Sequence, residues 1–225
     1  QGLGAAICKT LAGKENLIII ADVKIEKCEH VISDIEQQGG KCEAYKTDLT
    51  DYGSIKQMIS EIKEKYGRID VLINNAGTDV TKSIMDLSVE EWDRVINVNL
   101  RAPFLMIKEI LPMMAKNNEG HIINIISTAS LRGWPEASAY HASKWGLRGF
   151  SQSLCTEARR NNIKVSAIIA GGMKTPFLLE RFPDLDQTKL QDPTNVARTI
   201  EFLLTQPAET TIPEVMVLPL QETSW

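Results

Sequence analysis

The sequence predicts one α/β domain built on a doubly wound parallel sheet with helices on both faces. Three observations carry this. Short apolar runs alternate with amphipathic stretches of helical period along the chain. Most of those runs are continuously apolar, as expected of parallel strands buried on both faces. The 225 residues suffice for one such domain with a full core, and no break in composition divides them.

The first element is a helix. Q-G-L-G-A-A-I-C-K-T-L-A opens the chain, with Ile7 and Leu11 on one stripe. Residues 17–21 (L-I-I-I-A) are a buried strand ending at Asp22. A polar helix over about 26–38 stops at Gly39-Gly40. Residues 41–46 form a short strand leading into T-D-L-T-D, which places Asp48 at its carboxyl end. Ile55, Ile59, Ile62 and Tyr66 mark a helix face, and Gly67 stops that helix. Residues 71–73 are a strand that runs into N-N-A-G.

Ser88-Val89-Glu90-Glu91 is a capping box, so the next helix starts there and turns Trp92, Val95 and Ile96 inward. Asn97-Val98-Asn99 interrupts the stripe before a longer helix to about residue 114, kinked or ended near Pro112. A strand over 121–126, a long helix over about 138–160 and a strand over 164–170 follow. Gly171-Gly172-Met173-Lys174-Thr175-Pro176 is a loop with unusual backbone freedom. Residues 177–193 are short, mixed and proline-bounded, and read as a lid over a pocket. A helix over about 195–204 and a strand over 215–218 complete the sheet.

Composition narrows the functional classes. A net charge of −4 leaves no basic footprint for nucleic acid or an anionic membrane. No apolar run is long enough for a membrane span, and no signal-peptide pattern opens the chain. Cys8, Cys28, Cys42 and Cys155 are scattered, which fits lone thiols in a reducing cytoplasm. His30, His121 and His141 offer no metal cluster, so no metal is expected.

The chemistry concentrates between Ser127 and Lys144. Tyr140 and Lys144 are four residues apart, which stacks them on one helix face. An ammonium beside a phenol favours the phenolate, so the expectation is a depressed Tyr140 pKa and a proton donor useful near neutral pH. Ser127 ends a predicted strand, where open α/β sheets place ligands. Its hydroxyl can hold a substrate oxygen. At the chain start, Gly2 and Gly4 would let a backbone and helix N–H groups approach a pyrophosphate. Asp22 follows at roughly the 20-residue spacing of a ribose-binding acid. In N-N-A-G, small residues allow a flat ring or ribose to lie on the backbone. A buried Asn99 amide needs partners and can hold an ordered water.

In order and spacing these motifs resemble those of the short-chain dehydrogenase/reductase family. They are G-L-G, Asp22, T-D-L, N-N-A-G, N-V-N-L, the Ser127 loop, Y-H-A-S-K and G-G-M-K-T. The resemblance covers nearly the whole chain and implies an oxidoreductase that interconverts an alcohol and a carbonyl with NAD(P)(H). It implies Ser127 as ligand of the substrate oxygen and Tyr140 as general acid/base. Lys144 would hold the nicotinamide ribose and Asn99 a relay water. Gly2, Leu3 and Gly4 would meet the pyrophosphate, and Asp48 and Leu49 the adenine. Asn75, Ala76, Gly77 and Val98 would line the cofactor, with Gly171, Met173 and Thr175 toward its carboxamide end. It also implies a homodimer or homotetramer built on the two long helices.

The chain departs from the family pattern in three places. Only the last two glycines of T-G-x-x-x-G-x-G are present, and the strand before them is absent, so the expectation is a domain truncated at its N-terminus. Ala170 stands where relatives carry Pro. The tail 219–225 lacks Asp-Gly-Gly. Two alternatives remain: a 3-oxoacyl-carrier-protein reductase using NADPH, with Arg132, Lys174 and Arg181 as cations near the pocket, and a non-catalytic cofactor sensor or scaffold. For the cofactor, Asp22 favours NAD(H) over NADP(H), because a 2′-phosphate would meet like charge. Lys24 is the competing cation.

Overall fold

The computed structural model describes residues 1–13 and 15–221. The element order is α1 (Gly2–Leu11), β1 (Leu17–Asp22), α2 (Glu29–Gln37), β2 (Lys41–Lys46), α3 (Tyr52–Tyr66) and β3 (Val71–Asn74). Then come α4 (Val89–Ile96), α5 (Ala102–Asn117), β4 (Gly120–Ser127), α6 (Ser138–Ala158) and β5 (Ile163–Ala170). The short α7 (Pro176–Leu179), α8 (Pro193–Leu204) and β6 (Glu214–Val217) finish the chain.

Every strand pair is parallel. The strands form two hydrogen-bonded blocks, β1-β2 and β3-β4-β5-β6. The inner edges of β1 and β3 have no strand between them among the described residues, so each leaves one ladder unpaired. Helices cover both faces. On one, α3, α5 and α6 pack Ile55, Ile59, Ile110, Met114 and Leu154 against Ile122 and Val165. On the other, α1 and α8 pack Leu3, Ile7, Val196 and Ile200 against Ile123, Ile125 and Ile168. Strands β4 and β5 are buried on both sides, which explains their unbroken apolar runs.

Local signals acted as their chemistry requires. The Ser88 capping box has both reciprocal bonds. Gly67 ends α3 in the left-handed conformation at φ 72°, open to glycine without strain. The interruption at Asn97 is not a break. Residues Asn97–Arg101 form a π turn that joins α4 to α5, widening the ladder by one residue. Helix α5 continues past Pro112 to Asn117. Residues 222–225 of the tail lie outside the described residues.

A buried polar chain locks α6 onto the sheet. Asn74 Nδ2 donates to Asn124 Oδ1 at 2.8 Å, and Asn124 Nδ2 donates to Ser151 Oγ at 2.9 Å. Ser151 donates in turn to the Leu147 carbonyl at 2.7 Å. Each amide is satisfied, so the network orients α6 without an unpaired group. Among the described residues, no helix is long and apolar enough to cross a membrane.

Candidate active site

Because all strands run the same way, their carboxyl ends meet along one edge of the fold. Asp22 stands at the end of β1, Asp48 just beyond β2, Asn75 after β3, Ser127 at the end of β4 and Gly171 after β5. A cavity of about 2540 Å³ takes in this edge and continues between β1 and β3 to the amino ends of the strands, at Asn16, Arg68, Gly120 and Asn162. It is lined by Gly2, Leu3, Gly4, Asp22, Asp48, Leu49, Asn75, Ala76, Gly77 and Val98, and by Ser127, Tyr140, Lys144, Gly171, Met173 and Thr175. The sequence-predicted site thus converges in one space. Its size has a physical cause, since residues of both β1 and β3 also line it and the slot between them opens into the crevice.

Close packing fixes the glycine end. A Cβ on Gly4 would lie 2.9 Å from Asn75 Nδ2. Gly2 has φ +55°, with Thr175 beside it. The start of α1 therefore sits wedged between the N-N-A-G loop and the last loop. Gln1 makes no side-chain cap, and the first turn carries no acid. The helix N-terminus is left suited to an anion. At the other end, the Asp48 carboxyl is held below the usual carboxylate range by the Thr50 hydroxyl and amide.

Asn99 is fully buried and does not line the cleft. Its Oδ1 accepts from Thr78 N at 2.8 Å, and its Nδ2 donates to Thr78 O at 2.8 Å and to Ser143 Oγ at 3.0 Å. Ser143 donates onward to the Tyr140 carbonyl at 2.7 Å. The amide expected to hold a water is spent on protein partners. It clasps the loop after β3 to the face of α6 that carries Ser143 and Tyr140.

Ser127 Oγ accepts from Ala129 N at 3.2 Å and lines the same cleft as Tyr140, whose pKa it acts to lower. Lys144 lies one turn below Tyr140, its Nζ 5.6 Å from the Tyr140 ring centre. That Nζ donates to the Ile125 carbonyl at 2.9 Å. The expected depression of the Tyr140 pKa is corrected here. Burial pushes the phenol up to about 12, against the lowering effect of the nearby Ser127 side chain. Burial also brings Lys144 down to about 8. Desolvation penalises both charged forms and outweighs the pairwise attraction the spacing implied.

Four further residues belong to this space. His141 Nδ1 contacts the Ala129 carbonyl at 2.8 Å, and its Nε2 accepts from Trp134 N at 3.1 Å. The ring therefore fastens the loop between Ser127 and α6. Phe177 lies over the cleft with its ring centre 6.1 Å from that of Tyr140. Asp79 and Arg181 form an ion pair at 2.8 Å, so this member of the three cations near the pocket is turned inward. His141 had a sequence signal in its place inside Y-H-A-S-K, Phe177 in opening the expected lid, and Arg181 as a cation expected near the pocket. Asp79 and Arg181 are 102 positions apart, and nothing local announces their pairing.

A crevice at the carboxyl edge of a parallel sheet, with a Ser, Tyr and Lys set at one end, is the arrangement of a dinucleotide-dependent oxidoreductase fold. Comparison with known proteins gives the family. Residues 1–186 match the short chain dehydrogenase family model. The chain is 34% identical over 184 residues to a 3-oxoacyl-[acyl-carrier-protein] reductase of Thermotoga maritima, covering 82% of this chain and 74% of the relative. It is 29% identical over 221 residues to an uncharacterized oxidoreductase of Staphylococcus epidermidis, covering 98% and 94%. Among solved structures, a metagenomic short-chain oxidoreductase in complex with NADP superposes with a TM-score of 0.87 at 32% identity, covering 97% of this chain and 92% of that one. An actinorhodin polyketide ketoreductase with NADPH superposes with a TM-score of 0.89 at 25% identity, covering 99% and 94%. The chain belongs to the short-chain dehydrogenase family and is an NAD(P)-dependent oxidoreductase. The uncapped α1 terminus, the close glycines and the crevice fit such a cofactor.

Proposed function

We propose that the protein interconverts a small alcohol and its carbonyl compound, with Ser127, Tyr140 and Lys144 acting on the substrate and cofactor. The observation that carries this is the convergence of Ser127, Tyr140 and Lys144 on one cleft, with Lys144 Nζ 5.6 Å from the Tyr140 ring centre. The nicotinamide cofactor supplies or accepts hydride when bound. Ser127 holds the substrate oxygen. Tyr140 gives that oxygen a proton during reduction and takes it back during oxidation. A phenol held near 12 is a reluctant acid, so the role of Lys144 is to make its ionised form accessible. An ammonium with pKa about 8 is charged at neutral pH and able to stabilise a tyrosinate. Asn99 holds the cleft wall through Thr78 and Ser143, and its amide is engaged there rather than with a relay water.

In this reading Gly2, Leu3 and Gly4 meet the pyrophosphate. Asp22, Asp48 and Leu49 take the adenosine end, and Asn75, Ala76, Gly77 and Val98 line the middle. Gly171, Met173 and Thr175 take the carboxamide end. Residues 177–193 are the lid, pinched at their base where Lys174 N donates to Gln191 O and Gln191 N to Gly172 O. Asp22 favours NAD(H). The NADP found in a related structure is the competing choice for this chain.

The relative that reduces a carrier-bound oxoacyl group supports a second reading with the same chemistry. The inward Arg181 weakens it, because that cation is already matched by Asp79. For assembly, α5 and α6 carry exposed Phe104 and Trp145, which suits a homodimer or homotetramer through these helices. Four free cysteines suit a cytoplasmic setting.

The test is Tyr140→Phe assayed against a panel of ketones. Turnover should fall by at least about 100-fold while cofactor binding persists, since only the proton donor is lost. Activity retained within about tenfold would remove Tyr140 from the role.

A further inference from the structure

Arg181 reaches from the segment above the cleft to the loop after β3, and its Nη1 lies 2.8 Å from Asp79 Oδ2. The pair is largely withdrawn from water, with side-chain exposures of 20% for Arg181 and 7% for Asp79. The guanidinium also packs over Phe177, 4.6 Å from its ring centre, and near Phe182 at 6.0 Å. Phe177 in turn leans on Tyr140. Asp79 is anchored on its other oxygen by Val80 N at 2.7 Å. A chain of direct contacts therefore runs from Asp79 through Arg181 and Phe177 to the phenol.

We infer that Asp79 and Arg181 are a positioning pair that latches the 177–193 segment over Tyr140 and couples closure to proton transfer. The inference rests on Tyr140 being the acid/base. The latch has geometric necessity behind it. A guanidinium held against two rings and one carboxylate has a single low-energy seat, and leaving it strands a buried carboxylate. The coupling has an electrostatic basis. Asp79 raises the Tyr140 pKa, Arg181 lowers it, and Asp79 also raises that of Lys144. Closing the segment sets the cation beside the carboxylate and so relieves the phenol of an unbalanced negative charge. Opening restores that charge and makes proton release harder. The other groups around the phenol are Lys144 and His141 on α6, Ser127 on β4, and Glu136 in the loop before α6, which lines the same cleft. Only Arg181 among these sits on the segment that would move.

The test is a cycle of Asp79→Asn, Arg181→Gln and the double variant, on the full chain with cofactor bound. Hydrogen exchange of amides 177–182 should quicken in each single variant and no further in the double. The pH profile of kcat/KM should shift in opposite directions: downward for Asp79→Asn, which removes the negative charge, and upward for Arg181→Gln, which leaves it unbalanced. The double variant should return toward the parent and recover about tenfold of the kcat/KM lost in Arg181→Gln. A merely structural contact would move both single profiles the same way or not at all. That result, or unchanged or additive exchange, overturns the inference. The exchange arm needs no turnover, so a protein inert to every carbonyl compound would defeat the oxidoreductase roles while the latch is judged separately.

Discussion

Lys144 donates its side-chain Nζ to the main-chain carbonyl of Ile125 at 2.9 Å. This bond ties the middle of α6 to β4 and holds a cation at 4% exposure. Burial lowers its pKa to about 8, so at neutral pH the fold carries a charge it has little solvent to support.

That charge is a stability cost. The folded pKa of Lys144 is about 8 against an ordinary value of 10.5, so the unfolded chain binds more protons between those limits. Stability should therefore rise with pH from 8 toward 10.5. Lys144→Met should stabilise the cofactor-free protein below pH 8 by the order of 1–3 kcal/mol, and the advantage should shrink as pH rises through that window. Urea unfolding of both proteins at pH 7 and 9.5 measures this, and the same variant should lose turnover.

Asn99→Ala should cost about 2 kcal/mol of stability. It leaves the Thr78 amide and carbonyl without the partners they now have at 2.8 Å. Chemical denaturation gives the loss. Amide exchange should localise it to Thr78 and the start of α6 rather than to the β4–β5 core.

His121 governs acid stability. Its Nε2 lies 2.9 Å from Ser166 Oγ, and that hydroxyl donates to the Ile212 carbonyl at 2.7 Å. The serine hydrogen is thus committed, and His121 must be the donor, neutral and protonated on Nε2. Burial, aided by Lys164, lowers its pKa to about 4. A group with a depressed folded pKa loses its stabilising neutral form as pH falls. Stability should drop between about pH 6.5 and 4, by the order of 3 kcal/mol at most. His121→Gln should flatten that slope in unfolding measured across the range.

Much of this was legible in the sequence because it depends on local chemistry. The Ser88 box, the Gly67 stop and the apolar run of β4 each act within a turn or a strand. Their residue types permit few other conformations. The ordered motifs also brought Ser127, Tyr140 and Lys144 together correctly, since the parallel sheet gathers its carboxyl ends on one edge. What stayed hidden depends on solvent exclusion or distant pairing. Helical spacing gives the proximity of Tyr140 and Lys144 but not the desolvation that dominates both pKa values. Asn97–Asn99 looked like a break because a π turn disrupts the 3.6-residue stripe without ending the helix. Asp79 and Arg181 meet only after the chain has folded.

The proposed preference for NAD(H) rests on Asp22. Its Oδ1 accepts from Lys24 N at 2.8 Å, which fixes the carboxylate at the end of β1. The unsubstituted protein should bind NADH more tightly than NADPH by about tenfold, or roughly 1.4 kcal/mol. Asp22→Ala should shrink or reverse that ratio, and Lys24→Ala should change it little. Competing titrations of the two reduced cofactors read the ratio directly. Tighter NADPH binding before any substitution would hand control of the site to a neighbouring cation.

Asp22 and Asp48 stand at the carboxyl ends of β1 and β2, while Ser127 and Gly171 stand at those of β4 and β5. A ligand that reaches from one set to the other touches four strands far apart in the chain. Its binding free energy then adds to the stability of all of them at once, and the unfolding midpoint should climb with ligand concentration. Tightness of grip and resistance to unfolding are in that sense read on one scale.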